Sequence, residues 1–419
     1  MAKHITHKDR TTTWTADSAG DTWIVAKDAS FSMTNAYGFV DNHHDGTTVK
    51  IEGKIKVVGG GYSAVALEGD GSKVVFGKGA VINAIKANSA VQGNGDNLDI
   101  INNGLIKTGG AGIVANNGGS IVNDGEIRGG GGILTHVQAG DETIIRNGGL
   151  IDVTGSGVMA QGTAGEFSSV VNDKGGVIRA GDFGVNFGGD GGSKLVNRGL
   201  IEGDTAVWGG NGVTTLINKG KIVGDIDLGA GNDVLDLRGG TFVGQARGGA
   251  GSDIYKVSGP SVDLHEDFGG GNDTVLSSGK FTLGDNFEIL RLTGDRDVAG
   301  RGNDLSNIIT GNKGDNKLFG MGGMDQISGG KGNDVLEGGT GADTFVFATG
   351  FGKDVIADFE NGSDKIDLTG WADIDSYADL ILTHMTVAGD DIVFKSGGDS
   401  LRLKNVDMNE LDATDFILY

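Results

Sequence analysis

The sequence has no cysteine and a single proline, and each shortage removes a class of protein. Without thiols there is no disulfide framework and no thiolate metal site. Basic residues are also scarce: 34 Lys and Arg face 56 Asp and Glu, a formal charge of −22. No basic face is therefore on hand to neutralise phosphates, and nucleic acid is excluded as a partner. No stretch approaches the roughly 18 apolar residues of a membrane span. The opening MAKHITHKDRTTTW lacks the apolar core of a secretory signal, so any export is expected to use another address. What the chain has in excess is glycine, 81 of 419 residues. Collagen does not explain it, because no Gly-X-Y period exists, and regularly recurring Val, Ile and Leu speak against simple disorder. Stacked, glycine-cornered turns satisfy both observations.

The clearest order lies in residues 311–346, where a nine-residue unit repeats four times without a gap: GNKGDNKLF, GMGGMDQIS, GGKGNDVLE, GGTGADTFV. The glycines permit turns with φ > 0 that expose carbonyl oxygens, and the sixth residue (Asn316, Asp325, Asp334, Asp343) offers a side-chain oxygen. The eighth (Leu318, Ile327, Leu336, Phe345) points inward. Two units make one turn of a flattened roll, so Asp325 and Asp343 are expected to stack on one edge, and Asn316 and Asp334 on the other. A hard cation needs six to eight oxygens, more than one turn supplies, so each calcium ion is expected between stacked turns. Binding and folding are then one event. The candidate ligands of the roll are Asn316, Asp325, Asp334 and Asp343, with Gly311, Gly320, Gly322, Gly329, Lys331, Asn333, Gly338 and Thr340.

A longer period runs from residue 21 to about 300. Cut after each Gly/Asp cluster, the chain yields pieces such as TTVKIEGKIKVVGGGYSAVALEGDG and FSSVVNDKGGVIRAGDFGVNFGGDGG, each with three short apolar runs separated by turns. That is what one rung of a right-handed parallel β-helix requires. Asn102, Asn123, Asn172, Asn197 and Asn218, each after Ile or Val, superpose in such a helix and are expected to hydrogen-bond up the stack. The last rungs end in the G-x-G-x-D turn of the nonads. Asp233, Asp253 and Asp273, with Gly229, Gly231, Gly249 and Gly251, are thus candidate calcium corners between rungs. Earlier corners carry Asp45, Asp70, Asp96, Asp141, Glu166 and Asp190 without the full turn, and solvated corners that keep the solenoid soluble explain them better than cation sites. Residues 281–310 read as a degenerate transition, with Asp304 and Asn307 as candidate ligands. The organisation expected is an arm or cap at 1–20, β-helix at 21–300, β-roll at 301–347 and a closing cap at 348–419. His4 and His7 are read as solvated, and Arg128, Arg146, Arg179 and Arg198 as partners of neighbouring acids.

The nonads resemble the RTX (repeats-in-toxin, hemolysin-type) calcium-binding family. Residues 353–358 and 364–367 resemble the D-x-I-x-D-F-x-x-G-x-D-K-I-D-L segment that follows the repeats in RTX proteins, including the C-terminal domains of serralysin-type proteases. The closing Asp415-Phe416-Ile417-Leu418-Tyr419 is similar to the uncleaved signal read by type I secretion machinery. The resemblance covers residues 228–419. It implies several structural Ca2+ ions, export across a Gram-negative envelope in one step, and folding outside the cell, where calcium is millimolar.

β-Helices of this kind also carry polysaccharide lyases and epimerases, and Tyr37-Gly38-Phe39-Val40-Asp41-Asn42-His43 faintly resembles a stretch of the mannuronan epimerases. Here Val40 is inserted and the proline is missing; Tyr37 aligns instead with Tyr62 one rung later. No HExxH, GxSxG or Walker loop occurs. The expectation is an all-β right-handed parallel β-helix continuing into a calcium-binding β-roll, secreted and non-enzymatic, a surface, matrix or adhesion element. Its expected partners are the type I machinery and, through calcium, further copies of itself or cell-surface polysaccharide. A polysaccharide-modifying enzyme is the alternative.

Overall fold

A computed structural model describes residues 1–137, 142–372 and 374–418. The fold is all-β, 53% strand and 3% helix, a parallel solenoid of about 16 turns. It divides into two compact units, Met1–Arg247 and Gly248–Tyr419.

In the first unit each coil lays a strand on each of three faces. One face stacks Thr22–Val25, Thr48–Ile51 and Lys73–Phe76; a second stacks Ser30–Thr34, Lys54–Val58 and Val81–Ala84; a third sets Phe39–Val40 on Val65–Leu67. Every pair is parallel, so equivalent side chains superpose coil after coil. Alternation does the sorting: Glu142–Asn147 reads exposed, buried, exposed, buried to its end. On the second face the inward position is Ile55, Ile82, Ile106, Ile127, Ile151, Ile178, Ile201 and Ile222, all buried and paired in register. Cutting one back to alanine is expected to cost about 2–5 kcal/mol, since a close-packed column does not collapse onto the gap.

The asparagines form the ladder expected on the first face. Each Nδ2 donates to the next Oδ1, from Asn102 to Asn123, Asn147, Asn172, Asn197 and Asn218, at 2.7–2.9 Å. Asn147 had escaped the sequence pattern because Arg146 precedes it, where the other members follow Ile or Val. Its six members are fully buried. Residues 1–20 add a partial first coil: Lys3–Thr6 pairs with Thr22–Val25, and Trp14–Thr15 with Phe39–Val40. Trp14 packs edge-on to Trp23, Phe31 and Phe39 at 5.1, 6.1 and 6.1 Å, so aromatic rings close this end.

The second unit has two-strand coils. One sheet stacks Thr274–Ser277, Ile289–Leu292, Ile308–Thr310, Gln326–Ser328, Thr344–Ala348, Lys365–Gly370 and Phe416–Ile417. The other stacks Phe281–Thr282, Ala299–Arg301, Lys317–Gly322, Val335–Thr340, Lys353–Ile356 and Asp399–Leu403. Two-sheet coils therefore begin before residue 301, and the stretch 281–310 already belongs to them. Its repeat is hard to see because its core is made of Phe281, Leu283, Phe287, Leu290 and Leu292 at irregular spacing. Past 347 the same two sheets continue. The antiparallel strands Met385–Ala388, Asp391–Ser396 and Asp399–Leu403 then close one sheet. The tail is built into the other, with Phe416 opposite Ile366 and its ring 5.7 Å from those of Tyr377 and Phe394.

Candidate metal centre

The sixth-position residues of the nonads stack as the 18-residue turn dictates. The backbone N–H of Asn316 donates to Asp334 Oδ1 at 2.7 Å, and that of Asp325 to Asp343 Oδ1 at 2.8 Å. Both ladders run further than the nine-residue phase. Asn307 N–H donates to Asp325 Oδ1, Asp334 N–H to Asp354 Oδ1 and Asp343 N–H to Asp364 Oδ1. Asp354 and Asp364 were not among the candidates. Yet Gly350-Phe-Gly352-Lys-Asp354 is another G-x-G-x-D turn, hidden because it falls out of nine-residue register.

Each carboxylate thus spends one oxygen on the coil before it. The other oxygen, Oδ2 of Asp325, Asp334, Asp343 and Asp354, is buried and has no hydrogen-bond partner. Such an atom forfeits its hydration for nothing unless a cation meets it. Burial, with neighbouring carboxylates adding to it, raises these groups: Asp325 to about 7, Asp334 to about 6 and Asp354 to about 8, from an ordinary 3.8, with Asp343 and Asp364 also raised. The dominant cause is desolvation, the cost that a bound divalent ion offsets.

Glycine at the first position of the nonad is set by that oxygen. A Cβ on Gly320 would overlap both Asp325 Oδ2 and the carbonyl oxygen of Gly338, one coil on; at Gly329 and Gly338 it would overlap Oδ2 of Asp334 and Asp343. A side-chain and a main-chain oxygen therefore converge over one bare Cα, a donor set suited to a hard cation. Positive φ occurs elsewhere, at the second and fourth positions: Gly330 and Gly332 (φ 92° and 132°), Gly339 and Gly341 (96° and 137°). Gly229, Gly231, Gly249 and Gly251 occupy these same two places ahead of Asp233 and Asp253, with φ of 87°, 124°, 103° and 129°. The candidate glycines are thus of two kinds, cradle and turn. Gly322, Lys331 and Thr340 hold the third position between them.

Asn316 and Asn307 show what a neutral occupant does. Asn316 Oδ1 accepts from Asn312 N–H at 2.7 Å and its Nδ2 donates to the Val298 carbonyl at 3.1 Å; Asn307 does the same with Asn303 and Phe287. Amides satisfy themselves where carboxylates do not. Asp304 is exposed, and Asn333 is exposed with its amide on Asp315. Asp233 is buried and accepts from Thr214 N–H at 2.6 Å; Asp273 is buried and accepts from Asp253 N–H at 2.8 Å.

Of the early acidic corners, Asp45, Asp70 and Asp190 behave differently, whereas Glu166 is not the solvated corner expected: it is buried, with Oε1 unpartnered. Asp45 and Asp70 are exposed and accept backbone N–H groups of the following coil, from Asp70 and Asp96, at 2.9 Å. Asp190 accepts from the Asn211 amide, and Glu166 from Thr163 N–H. Asp141 and Tyr419 lie outside the described residues. The arginines pair as expected: Arg128 with Glu126 and Asp152, Arg146 and Arg198 with Asp173, Arg179 with Glu202, all on the surface. Tyr37 packs on Tyr62 at 5.2 Å, and Asp41, fully buried, spends its carboxylate on the N–H groups of Glu68 and Gly69. His4 stacks on Trp23 and contacts Asp21, and His7 contacts Asp28. These residues hold rungs together.

A family model of the repeat agrees with this geometry. Residues 301–336 and 319–356 match the RTX calcium-binding nonapeptide repeat (4 copies). Among solved structures the chain is similar to the AlgE6R3 subunit of the Azotobacter vinelandii mannuronan C5-epimerase, at 29% identity over 29% of this chain and 78% of that one, TM-score 0.25. It is also similar to the extracellular lipase LipA of Serratia marcescens, at 18% identity over 55% of this chain and 40% of that one, TM-score 0.22. No curated protein matches it. Residues 301–356, where buried carboxylates stack over bare glycines, thus carry RTX calcium-binding nonapeptide repeats, consistent with the RTX family.

Proposed function

We propose that this chain is an exported calcium-binding solenoid, a structural or adhesive element of the cell surface or extracellular matrix of a Gram-negative bacterium. The observation that carries the reading is the row of buried aspartates, of which Asp325, Asp334, Asp343 and Asp354 each have one oxygen bonded to the adjacent coil and the other without a partner. Asp325, Asp334, Asp343, Asp354 and Asp364, with main-chain oxygens of the nonad turns, are the residues that would hold Ca2+. An ion bound there neutralises like charges stacked one coil apart and ties the coils together. The calcium is structural.

Export by type I machinery fits this chemistry. At low calcium the acidic repeats repel one another and stay extended enough to thread; at millimolar calcium they fold. The tail similar to the type I signal, folded as the final strand against Ile366 and Asp367, is then locked in place after passage. The edge strand Lys3–Thr6 is paired on one side only among the described residues, which leaves a row of backbone groups for another copy. Calcium on the acidic surface is the route to cell-surface polysaccharide.

The test is to add calcium to purified, chelator-treated protein and follow secondary structure, light scattering and electron micrographs. Strand content that rises with calcium, followed by filaments or sheets, is the expected result. A chain with full strand content in excess chelator overturns the calcium reading. Calcium-saturated monomers that degrade alginate or pectin overturn the structural role.

A further inference from the structure

Outside the nonads, three carboxylates meet at one point. Asp253 stands just before the strand Ile254–Val257, Glu266 just after Asp263–His265, and Asp273 just before Thr274–Ser277. Successive coils therefore supply the two aspartates, and the chain between them supplies the glutamate. All three are buried, and one oxygen from each lies within 4.8 Å of the others. Among the described residues no other group of three such ligands meets this closely.

The arrangement is built and not incidental. Asp273 Oδ1 is fixed by Asp253 N–H, while Oδ2 of this fully buried residue has no partner. Glu266 is held from two sides: the Tyr255 hydroxyl donates to Oε1, and Gly249 N–H donates to Oε2 at 3.3 Å. The Tyr255 hydroxyl in turn accepts from Gly248 N–H, so the phenol is anchored to the turn that precedes Asp253. Neighbouring carboxylates add to burial in raising Glu266 and Asp273. Three acids so placed, with a partnerless oxygen among them, suit a positive ion at their centre.

We propose that Asp253, Glu266 and Asp273 form a calcium site of a second kind, distinct from the nonad sites in drawing three side-chain carboxylates to one ion. It deepens the calcium reading above and rests on it. Affinity at oxygen sites rises with the number of charged ligands, and three carboxylates meet here. It therefore fills first. Magnesium, which demands octahedral geometry and keeps its water, is a poor occupant of a buried cluster fixed by backbone donors.

The experiment uses the full chain, stripped with chelator and titrated calorimetrically with CaCl2. Glu266→Gln, which preserves shape and removes one charge, is expected to lose the tightest equivalent or weaken it at least tenfold, leaving later equivalents in place. Titration with TbCl3 gives an independent readout. Emission sensitised by tyrosine is expected with the first equivalent, and Tyr255→Phe is expected to lose that emission while binding the same number of ions. Glu266→Gln with unchanged stoichiometry and constants overturns the proposal, as does first-equivalent emission unchanged in Tyr255→Phe. Asp334→Asn separates the two levels. If it loses an equivalent while Glu266→Gln does not, the nonad reading stands and the three-carboxylate site falls. If the wild-type chain takes up no calcium, both fall.

Discussion

Two ladders run through this molecule, and the contrast between them explains how each unit is held. In Met1–Arg247 the rungs carry buried asparagines, and in the second unit they carry buried aspartates. An amide has a donor and an acceptor, so Asn102 through Asn218 bond head to tail and leave little unsatisfied. A carboxylate only accepts. Asp325, Asp334, Asp343 and Asp354 each take one backbone N–H and keep a buried oxygen with nothing to bond. The lesson is that one group, NH2 against O, separates a ladder that is complete in itself from one suited to an ion. Asn307 and Asn316 make the point inside the second unit, where amides at the aspartate position use both ends.

The most forceful way to test the contrast is to withdraw calcium. Hydrogen exchange in excess chelator is expected to lose protection throughout the nonads while the asparagine-laddered coils remain protected; equal loss in both units would erase the distinction. The reciprocal attack is Asn147→Asp, which breaks the head-to-tail chain and buries a charge. It is expected to destabilise the first unit by about 3 kcal/mol or more, measured by denaturant melts, with no rescue by calcium. Converting the second ladder toward the first sharpens the comparison. Asp325→Asn is expected to remove one bound ion, costing about 2.7 kcal/mol when calcium stands at a hundred times its dissociation constant, yet to stabilise the chain in chelator.

Acidity offers a gentler probe. Asp325, Asp334 and Asp354 have folded-state values of about 7, about 6 and about 8, above the ordinary 3.8. Without calcium the folded form holds protons more tightly than the unfolded one. Stability is therefore greatest below pH ~4 as regards these groups and is lost as pH rises toward ~8. Melts in chelator are expected to fall from pH 5 to pH 8, and calcium to remove the trend. The smallest expected effect is at Met321, a non-glycine residue at φ 89° in the second nonad position, where Gly330 and Gly339 stand elsewhere. Met321→Gly relieves that strain and is expected to gain about 1 kcal/mol or less.

Much of this was legible in order and little of it in detail. The 18-residue turn placed Asp325 over Asp343 and Asn316 over Asp334 because parallel coils in register superpose whatever is periodic. The same logic missed Asn147, whose preceding residue faces solvent and is free to be arginine. It missed Asp354 and Asp364, since a coil lengthened to 20 or 21 residues keeps its ladder while breaking the written repeat. Glu266 was invisible for a different reason: it belongs to no repeat and reaches its partners across the coil.

The sequence alone determined that the chain coils in parallel, that its corners are glycine and acid, and that the nonads follow a calcium-binding repeat, because those properties are local and recur at fixed spacing. Only the tertiary structure decided which carboxylate oxygens are already bonded and which are stranded. It alone set where three-strand coils give way to two, and brought Asp253, Glu266 and Asp273 together. Those outcomes depend on how coils of unequal length stack, and stacking joins residues that the written order keeps apart.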